Sequence, residues 1–308
     1  MIRRGFLATA GATLVGACGG PTSQTVATRW PPIGNIVRVD GLDVHYWEQG
    51  AGQPVVLIQG ASGNLRDFTF ALAPLLANNF RVIAFDRPGF GYSARLPEMG
   101  WEPRAQARHL AKATSALGAV RPIVLGHSWG GALAMAWAVE DGTNLKGVVS
   151  LAGATMPWGG DLAFHNTLLA SQFTGPPLAW LVSRNFSEKL IASFLDSTFA
   201  PQSVPEGYAD YVGGPLATRS ATVQGNAQDL TQLNTALEHQ SQSYAEVTCP
   251  VEILHGTADD TVIAGLHADG LHALLPNSHL TLLEDVGHMP HHARPEAIQI
   301  ALSRLAGN

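Results

Sequence analysis

The sequence has little cysteine: Cys18 and Cys249 are the only two among 308 residues. This scarcity excludes a disulfide framework. Because Cys18 is assigned below to a lipid-modified N-terminus, Cys249 is left without an intrachain partner. It lies in "VTCPVEILHG", just before a predicted strand. We interpret it as a packing residue, since no polar neighbour in the sequence would activate its thiol.

Positive charge is also scarce. Lys and Arg number 18 against 24 Asp and Glu, for a formal net charge of −6, and no block of basic residues occurs. The chain therefore offers no surface to match a row of phosphates, and we expect no nucleic-acid partner. Charged residues make up 14% of the chain and hydrophobic residues 46%, which is typical of a globular protein with a substantial core.

Long apolar runs are missing as well. The apolar run near the N-terminus is too short for a comfortable membrane span. The segment "MIRRGFLATAGATLVGACGG" joins paired arginines to this run, which is the pattern of an export signal. "RRGFLA" resembles a twin-arginine signal, and "LVGAC" resembles a bacterial lipobox with Cys18 as the lipidated residue. An ordinary cleaved signal without lipid is the alternative.

We therefore expect a signal peptide at residues 1–17 and a lipid-anchored linker at residues 18–35, which is rich in Gly, Pro, Ser and Thr. The mature chain is predicted to be exported across the bacterial inner membrane. Acyl chains on Cys18 would attach it to the membrane, with the folded body facing the periplasm or the cell exterior. Nothing in the sequence indicates an oligomeric state.

The rest of the sequence alternates strand-like runs with helix-compatible stretches, which predicts an α/β fold with a mostly parallel sheet flanked by helices. After a "DG" hairpin the runs are "PVVLIQG", "FRVIAFD", "RPIVLGH", "LKGVVSLAG", "PVEILHG" and "HLTLLEDVG". Residues 154–246 interrupt this alternation with helix-compatible sequence, which predicts an inserted helical lid. Residues 36–153 and 247–308 then form the core. Surface helices without a role at the site are the alternative to a lid.

One junction between a strand and a helix carries a chemical signature. In "IVLGHSWGGA", Gly126 and Gly130 flank Ser128 in the pattern G-x-S-x-G. Glycines at these positions leave room for a sharp turn that projects the serine hydroxyl outward. We interpret Ser128 as a nucleophile. The alternative is a serine that caps a helix in a glycine-rich turn.

A serine hydroxyl is a poor nucleophile near neutral pH, so it needs a base, and the base needs an orienting carboxylate. For this type of turn the chain order is serine, acid, histidine. "LHGTADDTV" supplies Asp259 and Asp260, and "LLEDVGHMPHHARP" supplies His288. Both segments follow predicted strands, and the loops at strand ends are where such folds carry their chemistry.

Five motifs together resemble the α/β-hydrolase fold, in its lid-bearing esterase and epoxide-hydrolase-like group: "LIQGASGN", "DRPGFGYS", "GHSWGG", "HGTADDTV" and "GHMPHHARPE". The resemblance covers roughly residues 36 to 305. It implies that Ser128 is the nucleophile, His288 the base and Asp259 the acid. Asp260 is the alternate acid if the register slips.

The same resemblance implies an oxyanion hole made by the backbone amides of Trp129 and Ala61. Many family members carry His-Gly before the second amide, whereas this sequence carries Gln59-Gly60. Because backbone amides bind the oxyanion, the difference affects the hydrogen bonding of the loop and leaves the hole possible. Arg87, in "DRPGFGYS", is predicted to fix neighbouring loops.

His291 and His292 follow the predicted base closely in "HMPHH", a spacing that is compatible with metal ligands. We nevertheless predict no metal, because Pro290 indicates a loop where a metal site needs a rigid scaffold and a further ligand. No cofactor is expected either, since acyl transfer through a serine ester needs none.

The residue at position 128 decides the chemistry that we predict. Related epoxide hydrolases and haloalkane dehalogenases carry aspartate there, because their reactions pass through an alkyl-enzyme ester. This chain carries serine, so we predict a hydrolase that cleaves a small apolar carboxylic ester through an acyl-enzyme. Apolar stretches of the predicted lid, such as "PLAWL", suggest a hydrophobic acyl or alcohol group.

Three other activities with the same triad remain open: cleavage of peptides at an N-terminal proline, of lactones, and of carbon–carbon bonds in diketones. The first requires lid carboxylates that hold the substrate ammonium. The predicted lid offers five acidic residues for comparison: Glu188, Asp196, Glu206, Asp210 and Asp229. A non-catalytic ligand-binding protein on the same fold is a further alternative, although such proteins often lose a triad residue.

Overall fold

The computed structural model describes residues 23–159 and 164–307. Cys18 and the predicted signal peptide lie outside the described residues. Eight strands form one sheet: β1 (Asn35–Val39), β2 (Leu42–Gln49), β3 (Pro54–Ile58), β4 (Arg81–Phe85), β5 (Ile123–His127), β6 (Gly147–Leu151), β7 (Val251–Gly256) and β8 (Ser278–Leu283).

The sheet is mostly parallel, with the order β1-β2-β4-β3-β5-β6-β7-β8. Only the pairs β1–β2 and β2–β4 are antiparallel among these strands. The first pair is the expected hairpin, where Asp40 and Gly41 adopt φ angles of 51° and 81°. Two successive positive φ angles are what a two-residue primed turn requires. Each of the six predicted runs that follow forms a strand, which confirms the predicted fold class.

Fourteen α-helices are described in the same residues: α1 (Ser23–Arg29), α2 (Arg66–Thr69), α3 (Leu72–Leu76), α4 (Pro103–Ala116), α5 (Trp129–Asp141), α6 (Phe164–Ala170), α7 (Gly175–Asn185), α8 (Glu188–Phe199), α9 (Tyr208–Val212), α10 (Gly214–Ala217), α11 (Ser220–Gln240), α12 (Ala264–Leu274), α13 (Pro290–Ala293) and α14 (Pro295–Ala306). Two short 3-10 helices lie at Gly142–Asn144 and Ser241–Glu246. In the part of the chain that the structure describes, we find no helix with the length and apolar character needed to cross a bilayer.

Helices cover both faces of the sheet. On β5, Val124 packs into one apolar cluster with helices α4, α5 and α12, while Ile123 and Leu125 pack into a second cluster with α3 and α14. Because β5 is buried on both faces, its sequence is apolar from Ile123 to Gly126 and does not alternate. The sheet is therefore a rigid base for the loops at its edge.

The helices between β6 and β7 form a separate layer, which we call the helical insertion (described residues 164–246). Its longest member, α11, sends Leu233 and Leu237 into the core cluster beside α5. Short helices α6 to α10 precede α11 in the chain. The insertion is therefore attached to the core through α11.

Parallel strands with the same direction bring their carboxyl ends to one edge of the sheet. Ser128 directly follows β5, Asp259 comes three residues after β7 ends at Gly256, and His288 comes five residues after β8 ends at Leu283. The topology therefore carries all three residues to the same edge, where ligands of open α/β sheets bind.

Candidate active site

The turn after β5 holds Ser128 in a strained backbone conformation, with φ of 53° and ψ of −120°. β5 ends one residue before Ser128, and α5 begins one residue after it. A side chain at Gly126 would overlap the carbonyl of Gly130, and one at Gly130 would overlap the carbonyl of Ile58. Both positions therefore require glycine, and the sharp turn presents the Ser128 hydroxyl at the sheet edge.

Three side chains from separate loops form a hydrogen-bonded line. Ser128 Oγ lies 2.9 Å from His288 Nε2, and His288 Nδ1 lies 2.8 Å from Asp259 Oδ2. When Nδ1 donates to the carboxylate, Nε2 is left to accept the hydroxyl proton. His288 and Asp259 are buried, whereas Ser128 is half-buried. The geometry is therefore that of a nucleophile, a general base and an orienting acid.

Asp259 is held as an anion by its own loop and by two histidines. Its Oδ1 accepts the amides of Thr261 and Val262, each at 2.9 Å, and His255 Nε2 lies 3.3 Å from its Oδ2. Burial alone would raise the pKa of the Asp259 carboxyl, but hydrogen bonds from His255 and His288 hold it well below its usual range. The neighbouring Asp260 is exposed.

The loop after β3 approaches Ser128 closely at Gly60. A side chain at Gly60 would come within 2.9 Å of Ser128 Cβ, so only glycine fits there. The amide of the next residue, Ala61, has no acceptor among the described residues. The Trp129 amide opens α5, where the first amides have no intrahelical acceptor. Both amides are therefore available to a bound oxygen.

Gln59 is well accommodated at the position where many members of the family that the sequence resembles carry histidine. Its side-chain amide is satisfied at both ends when the nitrogen faces the Phe85 carbonyl at 2.6 Å and the oxygen faces the Arg87 amide at 2.9 Å. These bonds tie the loop to the end of β4. The different residue therefore supplies the loop with its own hydrogen bonds.

Arg87 is buried beneath this loop and holds it by two carbonyls. Its Nε donates to Gln59 O at 3.0 Å and its Nη2 to Gly60 O at 3.2 Å. Its guanidinium carbon lies 4.0 Å from the centroid of the Trp129 ring, a cation–π distance. Burial lowers the pKa of Arg87 to about 10 even with a carboxylate beside it, so the group remains a cation at neutral pH. As the sequence predicts, Arg87 fixes neighbouring loops.

The partner of Arg87 is Asp229, which comes from α11 of the helical insertion. Asp229 Oδ2 accepts from Arg87 Nη1 at 2.8 Å, and Arg95 Nη2 lies 2.6 Å from Oδ1. The Asp229 carbonyl also accepts the indole N–H of Trp129 at 3.3 Å. Asp229 is therefore engaged by two arginines, and of the five acidic residues considered for a substrate ammonium it is unsuited to that role.

A buried pair of histidines lies behind the His288 loop. His127 Nε2 donates to the His288 carbonyl at 2.8 Å, and its ring centroid lies 4.7 Å from that of His291. Burial, followed by the neighbouring His291 and His288, lowers the pKa of His127 well below its ordinary value. Burial also lowers the pKa of His291. Both rings are therefore neutral near pH 7 and pack together without repulsion.

Asp67 joins this pair to the insertion. It accepts from His291 Nε2 at 3.0 Å, from His292 Nε2 at 2.9 Å and from the Tyr208 hydroxyl at 2.8 Å. Burial would raise the pKa of Asp67, but the two histidines hold it well below its usual range. Ligand atoms of Asp67, His291 and His292 lie within 4.8 Å of one another, a spacing compatible with a metal ion. The three donors already stabilise the buried carboxylate, and the absence of a metal stays a prediction.

The insertion also braces the loop that carries His288. Gln202 accepts from the Gly287 amide at 2.9 Å and donates to the Asp285 carbonyl at 2.6 Å. Phe199 and Tyr208 of the insertion pack with Met289, the residue after His288. These two aromatic rings are therefore part of a structural cluster at the base of the site.

The structure brings Ser128, Asp259 and His288 together from three motifs that the sequence analysis singled out. It brings Gly60, the residue before Ala61, close to Ser128, while Trp129 is 1% exposed and its ring packs on Arg87. The contacts of Asp67 and Asp229 were missed. The only signal in the sequence for such a contact is Arg87, which lies between apolar segments. An arginine buried there needs an anion, and Asp229 supplies it.

Cys249 lies in the core cluster, as its position before a strand predicted. Burial raises the pKa of its thiol to about 11. A thiolate is the reactive form of cysteine, so this side chain is chemically inert at neutral pH.

Comparisons with known proteins identify the family and the fold. A profile of the alpha/beta hydrolase fold family matches residues 53–295. Haloalkane dehalogenase 2 of Mycobacterium tuberculosis is 34% identical over 157 residues, which are 48% of this chain and 51% of that protein. The chain thus spans about half the length of this relative. Lipase 1 of Psychrobacter immobilis is 25% identical over 262 residues, with 84% and 78% covered.

Among solved structures, that of a lipase described as putative, from Acinetobacter baumannii, superposes with a TM-score of 0.72. The superposition covers 97% of this chain and 100% of the other, at 18% identity. At this level of identity the likeness concerns the fold alone. The structural comparison and the family profile therefore agree on the architecture.

His267 on α12 makes the stability of the folded chain depend on pH. Its Nδ1 accepts the amides of Thr155 and Met156, at 3.2 and 3.1 Å, which requires an unprotonated nitrogen. Burial is the main reason that the pKa of His267 is lowered to about 4. In the unfolded chain, His267 has the ordinary histidine pKa of about 6.5 and binds a proton more readily than in the folded chain. Between about pH 4 and 6.5, protonation of His267 therefore favours unfolding. Stability therefore rises with pH over this window.

We expect the melting temperature to fall as the pH is lowered from 7 to 5, and His267→Asn to flatten this dependence. Asparagine keeps an acceptor near the position of Nδ1 but does not titrate. Differential scanning fluorimetry across the pH range measures both slopes. His272→Asn is the control, since His272 lies exposed on the same helix. Equal flattening by the two substitutions would contradict the assignment.

We expect Asp229→Asn to lower the free energy of unfolding by about 3–5 kcal/mol, because it leaves two arginines without their buried carboxylate. Urea denaturation measures the change. Asp210→Asn is the matched control: Asp210 lies on the same insertion and pairs with Arg29 at the surface. An exposed pair contributes little. If both substitutions cost the same, the Arg87–Asp229 contact is not the attachment that we describe.

Proposed function

The chain belongs to the alpha/beta hydrolase fold family, and from this premise we propose that it is a serine hydrolase that cleaves carboxylic esters through an acyl-enzyme. The observation that carries the proposal is the hydrogen-bonded line from Ser128 through His288 to Asp259. It lies at the end of a strained turn with two amides available to an oxygen. This arrangement suits attack on a carbonyl carbon.

In the first half of the proposed reaction, Ser128 Oγ attacks the ester carbonyl while His288 Nε2 takes its proton. The carbonyl oxygen becomes an oxyanion, and the amides of Ala61 and Trp129 donate to it, each contributing on the order of 3 kcal/mol. Asp259 keeps His288 in the required tautomer and stabilises the imidazolium. The alcohol then leaves with the proton from His288.

In the second half, His288 removes a proton from water, and the resulting nucleophile attacks the acyl group on Ser128. The same two amides stabilise the second oxyanion. Collapse of this intermediate releases the carboxylic acid and returns the proton to Ser128. The side chains named suffice for both halves, because each step moves one proton between Nε2 and an oxygen.

Ester cleavage is favoured over the activity that names the dehalogenase relative. Attack by a serine on an alkyl halide would leave an ether on Ser128, which lacks the carbonyl that water needs to attack. Attack by an aspartate leaves an ester, which water does cleave. Since this chain carries serine at the turn, its chemistry fits acyl substrates.

An uncharged ester is also favoured over a peptide with a free amino terminus. The aminopeptidase alternative needs a carboxylate that can hold an ammonium group near the site. Asp229, the acidic residue of the insertion that contacts the active-site loop through Arg87, is already neutralised by two arginines. Apolar stretches of the insertion support a hydrophobic acyl or alcohol group.

We expect Asp259→Asn to lower kcat on a p-nitrophenyl ester by about 10³–10⁴-fold, because asparagine no longer fixes the tautomer of His288. Asp260→Asn is the matched control, since Asp260 is adjacent, exposed and equally charged. Its activity should stay close to that of the wild type. Comparable losses of activity for the two variants would show that Asp259 is not the acid of the triad.

Ser128→Ala should abolish turnover, and a fluorophosphonate should form its adduct on Ser128 in the wild type only. Mass spectrometry of the labelled peptide locates this adduct. A panel of p-nitrophenyl esters, a lactone, a proline amide and a haloalkane then separates the substrate classes. Cleavage of another substrate class without any ester cleavage would contradict the ester proposal. Unchanged ester cleavage by Ser128→Ala would show that Ser128 is not the nucleophile.

We also propose that the protein is exported and held at the membrane by acyl chains on Cys18. The support is the sequence pattern of paired arginines followed by "LVGAC". Fatty-acid labelling in a bacterial host should mark the wild type and not Cys18→Ala. Cys249→Ala is the control, because Cys249 is the other cysteine and lies in the core. Label retained in Cys18→Ala would refute lipidation at this residue.

A further inference from the structure

The helical insertion exposes an unusual set of large apolar side chains. Five of them lie on α7, on α8 or in the turn before α7, and each is more than half exposed: Phe173 (90%), Trp180 (55%), Leu181 (53%), Leu190 (52%) and Phe194 (55%). We call these five residues the apolar patch. Single exposed apolar residues are ordinary, but a group of five on adjacent helices marks an interaction surface.

Few residues of the two helices that carry the patch are buried. On α8 only Phe199, its last residue, is buried, and on α7 only Gly175 and Ala179 are. Leu190 and Phe194 are four residues apart on α8 and so lie on one face of that helix. Ile191, Leu195 and Phe199 of α8 face inward, whereas Leu190 and Phe194 face away from the core.

The charge of this segment differs from that of the chain. Residues 164–199 contain two basic residues, Arg184 and Lys189, and two acidic residues, Glu188 and Asp196, so their net charge is zero. The whole chain carries −6. Arg184 lies over the ring of Trp180, 4.9 Å from its centroid. A Trp with a basic neighbour is typical of the boundary between water and lipid.

The described N-terminus lies next to the patch-bearing helix. At the end of α1, Trp30 donates to the Asp210 carbonyl at 2.6 Å and packs against Gly213. The next residue, Gly214, packs against Ile191 of α8. Ile191 directly follows the patch residue Leu190. The chain that enters at α1 therefore lies near α8, the helix that carries Leu190 and Phe194, and is linked to it through Gly213 and Gly214.

Chain length then limits how far Cys18 lies from this side. Ser23, the first residue of α1, is the fifth residue after Cys18, so five residue steps join the two. Even when fully extended they span no more than about 18 Å. Acyl chains on Cys18 would therefore hold the bilayer close to α1 and to the insertion beside it.

We propose that the apolar patch is a membrane-docking surface, which inserts into the interfacial layer of the bilayer and orients the insertion toward the lipid. The occupant is the bilayer because the predicted anchor, the zero net charge and the Trp–Arg pair all fit a lipid surface. A second copy of the chain would bury the same apolar area but would not explain why the N-terminus enters here. Docking at the interface depends on the patch and persists without the acyl chains.

The test uses the predicted mature chain, residues 18–308, with Cys18→Ala, so that neither an acyl chain nor the signal peptide contributes. Vesicles of phosphatidylcholine and phosphatidylglycerol in equal parts are sedimented with this protein and with a patch variant, Phe173→Ser/Leu190→Ser/Phe194→Ser. Trp180 is kept, and brominated lipid tests whether tryptophan fluorescence is quenched. The matched control is Met99→Ser/Val120→Ser/Ile300→Ser, which removes three exposed apolar residues elsewhere.

We expect the patch variant to lose at least about tenfold in vesicle partitioning, because each apolar side chain removed from lipid weakens binding. The control variant should keep its partitioning, and all variants should hydrolyse a short, soluble p-nitrophenyl ester alike. That activity verifies the fold and separates this proposal from the proposed catalysis. Equal losses in patch and control variants would overturn the proposal. So would a lack of vesicle binding by the Cys18→Ala chain, or a dimer without vesicles that the patch variant abolishes.

Discussion

The buried ion pair between Arg87 and Asp229 is the contact on which the candidate site depends. Arg87 donates to the carbonyls of Gln59 and Gly60 and lies against the Trp129 ring, so one cation contacts both segments that supply available amides. Because the guanidinium is buried, it needs an anion. That anion comes from α11 of the helical insertion. The loops beside Ser128 therefore take their positions from a residue far away in the chain.

The same logic holds on the histidine side of the site. The His288 carbonyl is fixed by His127, and the amide before it by Gln202 of the insertion. His127 packs on His291, which donates to Asp67, and Asp67 also accepts from Tyr208. The loop that carries His288 is thus held by contacts from the core and from the insertion. Since Ser128 is strained, this support from both sides opposes relaxation of the turn.

The sequence predicted the parts of the site that are fixed by local chemistry. Ser128 was found because the turn demands glycines at Gly126 and Gly130. Strand ends at one sheet edge gave His288 and either Asp259 or Asp260, and the family resemblance favoured Asp259. The role of Asp229 could not be read in the same way. It pairs across 142 positions, and on α11 it looks like any solvent-facing acid. Only the packed structure shows which charged residue of the insertion faces inward.

The helical insertion faces the core with both polar and apolar side chains. Asp229 pairs with Arg87, Gln202 accepts from the Gly287 amide and Tyr208 donates to Asp67, while Leu233 and Leu237 of α11 pack into the core cluster. On the exposed side, Leu190 and Phe194 of α8 are each more than half exposed. Polar contacts in a buried setting fix geometry, whereas exposed apolar area favours a non-aqueous surface. Helix α7, which carries Trp180 and Leu181, packs on α11, and α11 carries Asp229 and is packed into the core, so α11 links this exposed apolar surface to the site.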